Sequence, residues 1–77
     1  MEILRVNCLG KSLGIAKGLR IDILNEGESI GNTLIVDSFT EDKEGVVLFS
    51  EMLNRVFGKF RIKDLVSGIE NGEIIVL

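Results

Sequence analysis

The sequence predicts a mainly β (α+β) fold, a small five-stranded barrel with one short helix. Three observations lead to this fold class. Short apolar segments recur in which polar residues alternate, as they do in half-buried strands. The chain has nine glycines and no proline, and glycines separate these segments. With 45% apolar residues in 77, the chain is too apolar for a disordered protein and has the length of one small domain, so we assign residues 1–77 to a single domain.

The first half of the chain contains three predicted strands and one segment with two interpretations. In this segment, residues 7–18, Gly10, Gly14 and Gly18 lie four residues apart. Three interior glycines would destabilise a helix by about 3 kcal/mol relative to alanine, but they would also form one bare helix face for close packing, so the segment stays ambiguous. The predicted strands are residues 1–6, 19–23 and 30–39, with a turn at residues 25–28.

The second half decides between fold classes. Residues 40–45 are polar and fit either a hairpin loop or a helix start with Thr40 as its N-cap. Apolar residues from Phe49 to Phe60 recur at helical spacing, whereas the residues just before them favour a strand. We predict strands at residues 46–50 and 59–62 with a helical turn or short helix near residues 51–57. A helical turn at residues 64–69 with Asp64 as its cap, a turn at residues 71–72 and a closing strand at residues 73–77 follow.

The residue types that are missing exclude most enzyme classes. The chain has no histidine and a single cysteine, Cys8, so it cannot build a zinc site or a cysteine–histidine pair from its own residues. We therefore predict a protein that is not an enzyme and has no metal or cofactor. One cysteine permits no internal disulfide, and the first residues lack the pattern of a signal peptide, so the expected location is the cytoplasm, without a membrane partner.

Charge divides the chain into an acidic and a basic part. Residues 22–51 contain eight acids and one base, and residues 55–63 contain four bases and no acid. A basic strip of this kind suits phosphate or an acidic partner. No tyrosine or tryptophan accompanies it, and Phe57 and Phe60 are assigned to the core, so base stacking is poorly supplied. The candidate partner-binding residues are Arg55, Lys59, Arg61 and Lys63.

Two stretches resemble the motifs of Sm-like proteins. Residues 24–34 (LNEGESIGNTL) are similar to the first motif, with Gly27, Thr33 and Leu34 at matching positions, and Asn32 replaces its second glycine. Residues 58–66 (GKFRIKDLV) are similar to the second motif, without its final glycine. The resemblance implies a small barrel that assembles into a ring and binds RNA. The loop signature of the family is not recognisable around residues 37–42, which argues against RNA binding.

Other stretches resemble PRC-barrel domains. Residues 61–77 are similar to the end of these domains, and residues 27–37 (GESIGNTLIVD) resemble their Gly-x-x-Ile-Gly…Asp segment. This resemblance implies an adaptor module that holds a protein partner and carries no chemistry.

A third resemblance depends on the ambiguous segments. If both are helices, the order of elements resembles an α/β STAS-like domain, which implies a regulatory switch protein with Ser38 or Thr40 as phosphoacceptor. Our main expectation is a non-enzymatic interaction module that binds a protein partner and self-associates as a homo-oligomer through an edge strand. An Sm-like RNA-binding protein and a STAS-like switch are the alternatives.

Overall fold

A computed structural model describes residues 2–25 and 28–77, with side chains for all of these except residues 25 and 28–32. The described residues form seven strands and one helix. The strands are β1 (Ile3–Cys8), β2 (Lys11–Ala16), β3 (Arg20–Asn25), β4 (Glu28–Phe39), β5 (Gly45–Ser50), β6 (Arg55–Arg61) and β7 (Ile74–Val76), and the helix α1 (Ile62–Glu70) lies between β6 and β7.

The strands form two antiparallel sheets. Strands β1 and β2 make a separate hairpin, and the other five make a sheet in the order β6-β5-β4-β3-β7. In this larger sheet β3 to β6 follow one another as a meander, and β7 returns to pair with β3. Strands β6 and β7 therefore form its two edges, and the sheet does not close into a barrel. The expected mainly β class is confirmed; of the expected five-stranded barrel, the larger sheet has the five strands but is open.

The segment with two interpretations forms a hairpin and contains no helix. Leu9 and Gly10 connect β1 to β2, and both have positive φ, 53° and 75°. A two-residue turn with positive φ at both positions matches the right-handed twist of the strands that it joins. Gly18 also has a positive φ of 96° and lies in the turn before β3. Of these three regularly spaced glycines, Gly10 and Gly18 therefore lie in turns, and Gly14 lies within a strand.

The second ambiguous segment, residues 44–57, also contains no helix. Residues 51–54 form a tight turn in which the Asn54 amide donates to the Glu51 carbonyl at 3.2 Å. Asn54 has a φ of 52°, a conformation that asparagine accepts more readily than most residues. Strand β6 begins directly after this turn, so of the helical turn or short helix predicted near residues 51–57 only a turn at residues 51–54 is present. The STAS-like α/β arrangement needs helices in both segments and is wrong for the same reason.

The core lies between the larger sheet, the helix and the β1–β2 hairpin. Ile21, Leu34, Val36, Val46 and Leu48 of the sheet are fully buried. Ile15 of β2 and Leu65 of α1, both also fully buried, complete the same cluster. Burial of apolar side chains of this size contributes about 1.5–3 kcal/mol each, so this cluster is the main source of stability.

Helix α1 is longer than the helical turn that we predicted. It has nine residues, and its N-cap is Arg61, so the prediction of Asp64 as the cap is wrong. The Ile62 amide donates to the Glu44 carbonyl at 2.9 Å, which satisfies one amide of the first turn. The predicted turn at residues 71–72 is confirmed, because Gly72 has a φ of 77° and the Glu73 amide donates to the Gly68 carbonyl at 2.8 Å. The predicted turn at residues 25–28 falls partly on residues outside the described ranges. Among the described residues, no helix is long and apolar enough to cross a membrane.

Candidate functional site

Lys59 and Arg61 lie together on the outer face of edge strand β6. They pair across the ladder with Val47 and Gly45, and residues two apart in a strand project to the same face. Both side chains are exposed. They line a groove whose opposite wall is the loop between β4 and β5, residues 40–44. The structure therefore brings these two predicted binding residues together.

Arg55 is separated from this pair by a β-bulge. Leu48 pairs with Gly58 and Phe49 pairs with Val56, so Phe57 has no partner in β5. The extra residue reverses the alternation of side chains along β6. Arg55 therefore pairs with the buried Ser50, on the face opposite to Lys59 and Arg61. The four predicted bases therefore divide between two faces of β6 and the helix, and they do not lie along one face.

Lys63 lies in the first turn of α1 and is exposed. It lines a second groove together with Arg61, Lys43, Glu44 and Leu4. Arg61 thus borders both grooves, and the bases Lys59, Arg61 and Lys63 follow one another around the end of the sheet. Arg55 lies at the other end of β6.

The acidic loop beside these bases has a defined hydrogen-bonded structure. The Thr40 hydroxyl donates to Asp42 Oδ1 at 2.6 Å and accepts from the Gly45 amide at 3.0 Å. The Glu44 amide also donates to Asp42 Oδ1, at 3.0 Å. Lys43 has a φ of 63°, and its ammonium forms an exposed ion pair with Glu2 at 3.0 Å. Thr40 is therefore a loop residue whose hydroxyl fixes the hairpin, and the prediction of a helix start here is wrong.

The charge of Asp42 is stabilised by this loop. The Thr40 hydroxyl, and then the Glu44 amide, hold the pKa of the Asp42 carboxyl below its ordinary value, and the positive charge of Arg61 acts in the same direction. The groove therefore has the Asp42 carboxylate, whose lowered pKa favours its ionised form, on one wall and the bases of β6 on the other. Within the described residues, no ion pair joins Arg55, Lys59, Arg61 or Lys63 to a carboxylate.

The turn between β5 and β6 exposes an apolar patch that the sequence analysis missed. We call it the tip patch; its residues are Met52, Leu53, Val56 and Phe57, with exposed fractions of 62%, 49%, 56% and 47%. The prediction that Phe57 belongs to the core is therefore wrong, and the helical spacing of all four residues predicted a helix here. The signal that argued otherwise is Asn54, a turn-forming residue in the middle of the apolar residues. Glu51 beside the patch is paired with Arg20.

The described residues offer little to a metal ion. No group of three or more acidic or cysteine residues among them is arranged to hold one. Cys8 is buried, and this burial, followed by the negative charge of Glu70, raises the pKa of its thiol.

The comparisons with known proteins give no further assignment. A scan of family models, a search of curated proteins and a search of solved structures each found no match to this chain.

Proposed function

We propose that this protein is a non-enzymatic interaction module of the cytoplasm that binds a protein partner through edge strand β6. The observation that carries the proposal is the open edge at β6, where the exposed bases form no ion pair with any residue that the structure describes. An unpaired edge and uncompensated charge are both means of recognition. The five-stranded sheet, with a helix before its last strand, also suits an open form of the small barrels that Sm-like and PRC-barrel domains adopt.

A charge-reversal experiment tests this binding surface. The variant K59E/R61E reverses both bases of the groove, and the matched control K11E/K17E reverses two exposed lysines of the β1–β2 hairpin. Both variants change the net charge equally, so they differ only in where the charge lies. We expect proteins that co-purify with the wild type and with K11E/K17E to be lost from K59E/R61E. If all three retain the same proteins, the proposed surface is wrong.

Self-association through the other edge is part of the same proposal. Strand β7 carries no charged residue, and Ile75 at its centre is 45% exposed. An uncharged apolar edge is suited to pairing with a second copy. Analytical ultracentrifugation should give an oligomer for the wild type and a monomer for I75K. The control I3K changes an equally exposed residue, Ile3 at 50%, and should leave the oligomer intact; a monomeric wild type would contradict the proposal.

RNA binding is the second candidate function, and one observation favours it. Phe57 is exposed and lies on β6 close in sequence to Lys59, so an aromatic ring for base stacking is present after all. A fluorescent oligouridine provides the test. An RNA-binding protein should bind it with an affinity that falls steeply with salt and should lose stacking in F57A. Our first proposal predicts no measurable binding.

A further inference from the structure

Strand β6 has a whole side that no described residue covers. It is the first strand in the order β6-β5-β4-β3-β7, and its ladder runs only to β5. Alternate residues within Arg55–Arg61 therefore direct their backbone N–H and C=O groups away from the sheet. Such an edge is a template for a further strand, whose main chain supplies affinity while alternate side chains supply specificity.

The charge of β6 indicates what kind of strand it accepts. The strand contains three bases and no acid, and none of these bases forms an ion pair within the described residues. A second copy paired at this edge would bring six positive charges into one short ladder, and like charges on neighbouring strands destabilise a sheet. Basic residues on an edge are a known protection against self-pairing. A segment that carries carboxylates is complementary to the same edge.

The apolar residues give this segment a direction. Val56 and Phe57 lie at the beginning of β6 and are exposed side by side because Phe57 is the bulged residue. Lys59 and Arg61 lie at its end. Every pair in this sheet is antiparallel, and an antiparallel addition would place the first half of the incoming segment beside the bases and its second half beside the tip patch.

We propose, building on the proposed function, that β6 binds an extended segment of a partner protein as a sixth strand of the sheet. The segment is antiparallel to β6, with acidic residues in its first half against Lys59 and Arg61. Apolar residues in its second half contact Val56 and Phe57. The backbone of β6 holds the segment by hydrogen bonds, and the bases select its acidic residues.

Synthetic peptides test this proposal directly. The probe is a nine-residue peptide that alternates aspartate and threonine in its first half and valine and threonine in its second. One control replaces each aspartate by asparagine, and another places proline at the centre, which removes a backbone donor and disrupts the added strand. Titration of the ¹⁵N-labelled full chain should shift β6 amide signals with the probe. Both controls should bind at least about tenfold more weakly, a difference of about 1.4 kcal/mol.

Variants of the chain separate the two parts of the surface. K59E/R61E should weaken probe binding at least about tenfold and should remove most of its salt dependence. V56T/F57T, which changes exposed residues to another strand-forming type, should weaken binding while the spectrum stays that of a folded protein. The control K11E/K17E should bind the probe as the wild type does. Amide hydrogen exchange should slow at alternate residues of β6 when the probe binds.

Three outcomes would overturn this inference. Equal binding of the proline control would mean that the side chains of β6 capture the peptide without strand addition. Shifts confined to residues outside β6 would place the binding elsewhere. Slow exchange of β6 in a dimer without peptide would identify a second copy as the occupant. If the proline control binds as well as the probe, K59E/R61E would still lose its protein partners. The proposed function would then stand, and the inference of strand addition would be wrong.

Discussion

A methyl group added at Gly45 should loosen the hairpin that forms the groove. Gly45 is buried at the start of β5, and a Cβ atom built there lies 2.9 Å from the Phe60 carbonyl oxygen and 3.2 Å from Thr40 Cγ2. The first contact is to backbone, which cannot turn aside as a flexible side chain does. In G45A, strands β5 and β6 must therefore separate where Lys59 and Arg61 lie opposite the loop.

The expected size of this effect follows from two opposing terms. Overpacking in a well-packed region costs about 1–3 kcal/mol. Replacement of a strand glycine by alanine raises the free energy of unfolding by about 0.5–1 kcal/mol, because the unfolded chain has less conformational freedom to lose. The free energy of unfolding of G45A should fall by up to about 2.5 kcal/mol relative to the wild type.

The matched control is Gly58, which lies on the partner strand of the same hairpin. A Cβ atom at Gly58 meets nothing within 4 Å, so G58A should be stabilised by about 0.5–1 kcal/mol. The two variants should thus differ by the overpacking cost alone. In urea unfolding, with a slope of about 1 kcal/mol/M for so small a chain, their midpoints should lie about 1–3 M apart. Coincident midpoints would refute the argument that the Phe60 carbonyl leaves no room at Gly45.

Three further predictions concern packing, pH and the thiol. A Cβ atom at Gly68 would lie 2.5 Å from Ile74 Cδ1, so G68A should be less stable than the wild type in urea unfolding. The loss of stability caused by G68A should be smaller in an I74A background, because I74A removes the side chain that the new methyl group contacts. Additive effects of the two substitutions would contradict this contact. The pKa of Asp42 is lowered in the folded state, so its stabilisation is complete above about pH 4 and is lost as the pH falls below that value. D42N should therefore flatten the acid side of the stability profile, and an unchanged profile would contradict the role of the loop. Burial raises the pKa of the Cys8 thiol, so alkylation at pH 8 should be slow in the native protein and fast in urea, and equal rates would show that the thiol is accessible.

The strands of the larger sheet could be predicted where one face of the strand is buried. Residues 19–23 and 46–50 lie within or at the edge of β3 and β5, and the fully buried residues Ile21, Val46 and Leu48 alternate there with more exposed ones. Apolar and polar residues alternate in the sequence of residues 19–23, and burial of one face imposes this pattern; residues 46–50 were predicted from their β-prone residues instead. The same reasoning failed at the tip patch, because periodicity assumes that apolar residues are buried. Met52 and Phe57 satisfy the helical spacing but are exposed in the structure.

The candidate site could be predicted in composition but not in geometry. The four bases were identified from the sequence, and all four are exposed. Their division between faces depends on the bulge at Phe57, for which the one local signal is the neighbouring Gly58, since an isolated glycine within a strand often marks a bulge. The proximity of Arg61 to the loop of Asp42 depends on the pairing of Gly45 with Arg61. Such a pairing is set by contacts along the whole hairpin, which a local pattern does not contain.

The bulge also bears on changes in the length of this chain. Deletion of one residue from a regular strand moves every later side chain to the opposite face, and the core is then lost. Phe57 has no partner in β5, and the pairs on either side of it, Leu48 with Gly58 and Phe49 with Val56, are already consecutive along β5. We therefore expect a 76-residue chain without Phe57 to keep every other residue of the hairpin on its present face. This position can gain or lose a residue over evolution, so the apolar surface at the edge can vary while the fold stays the same.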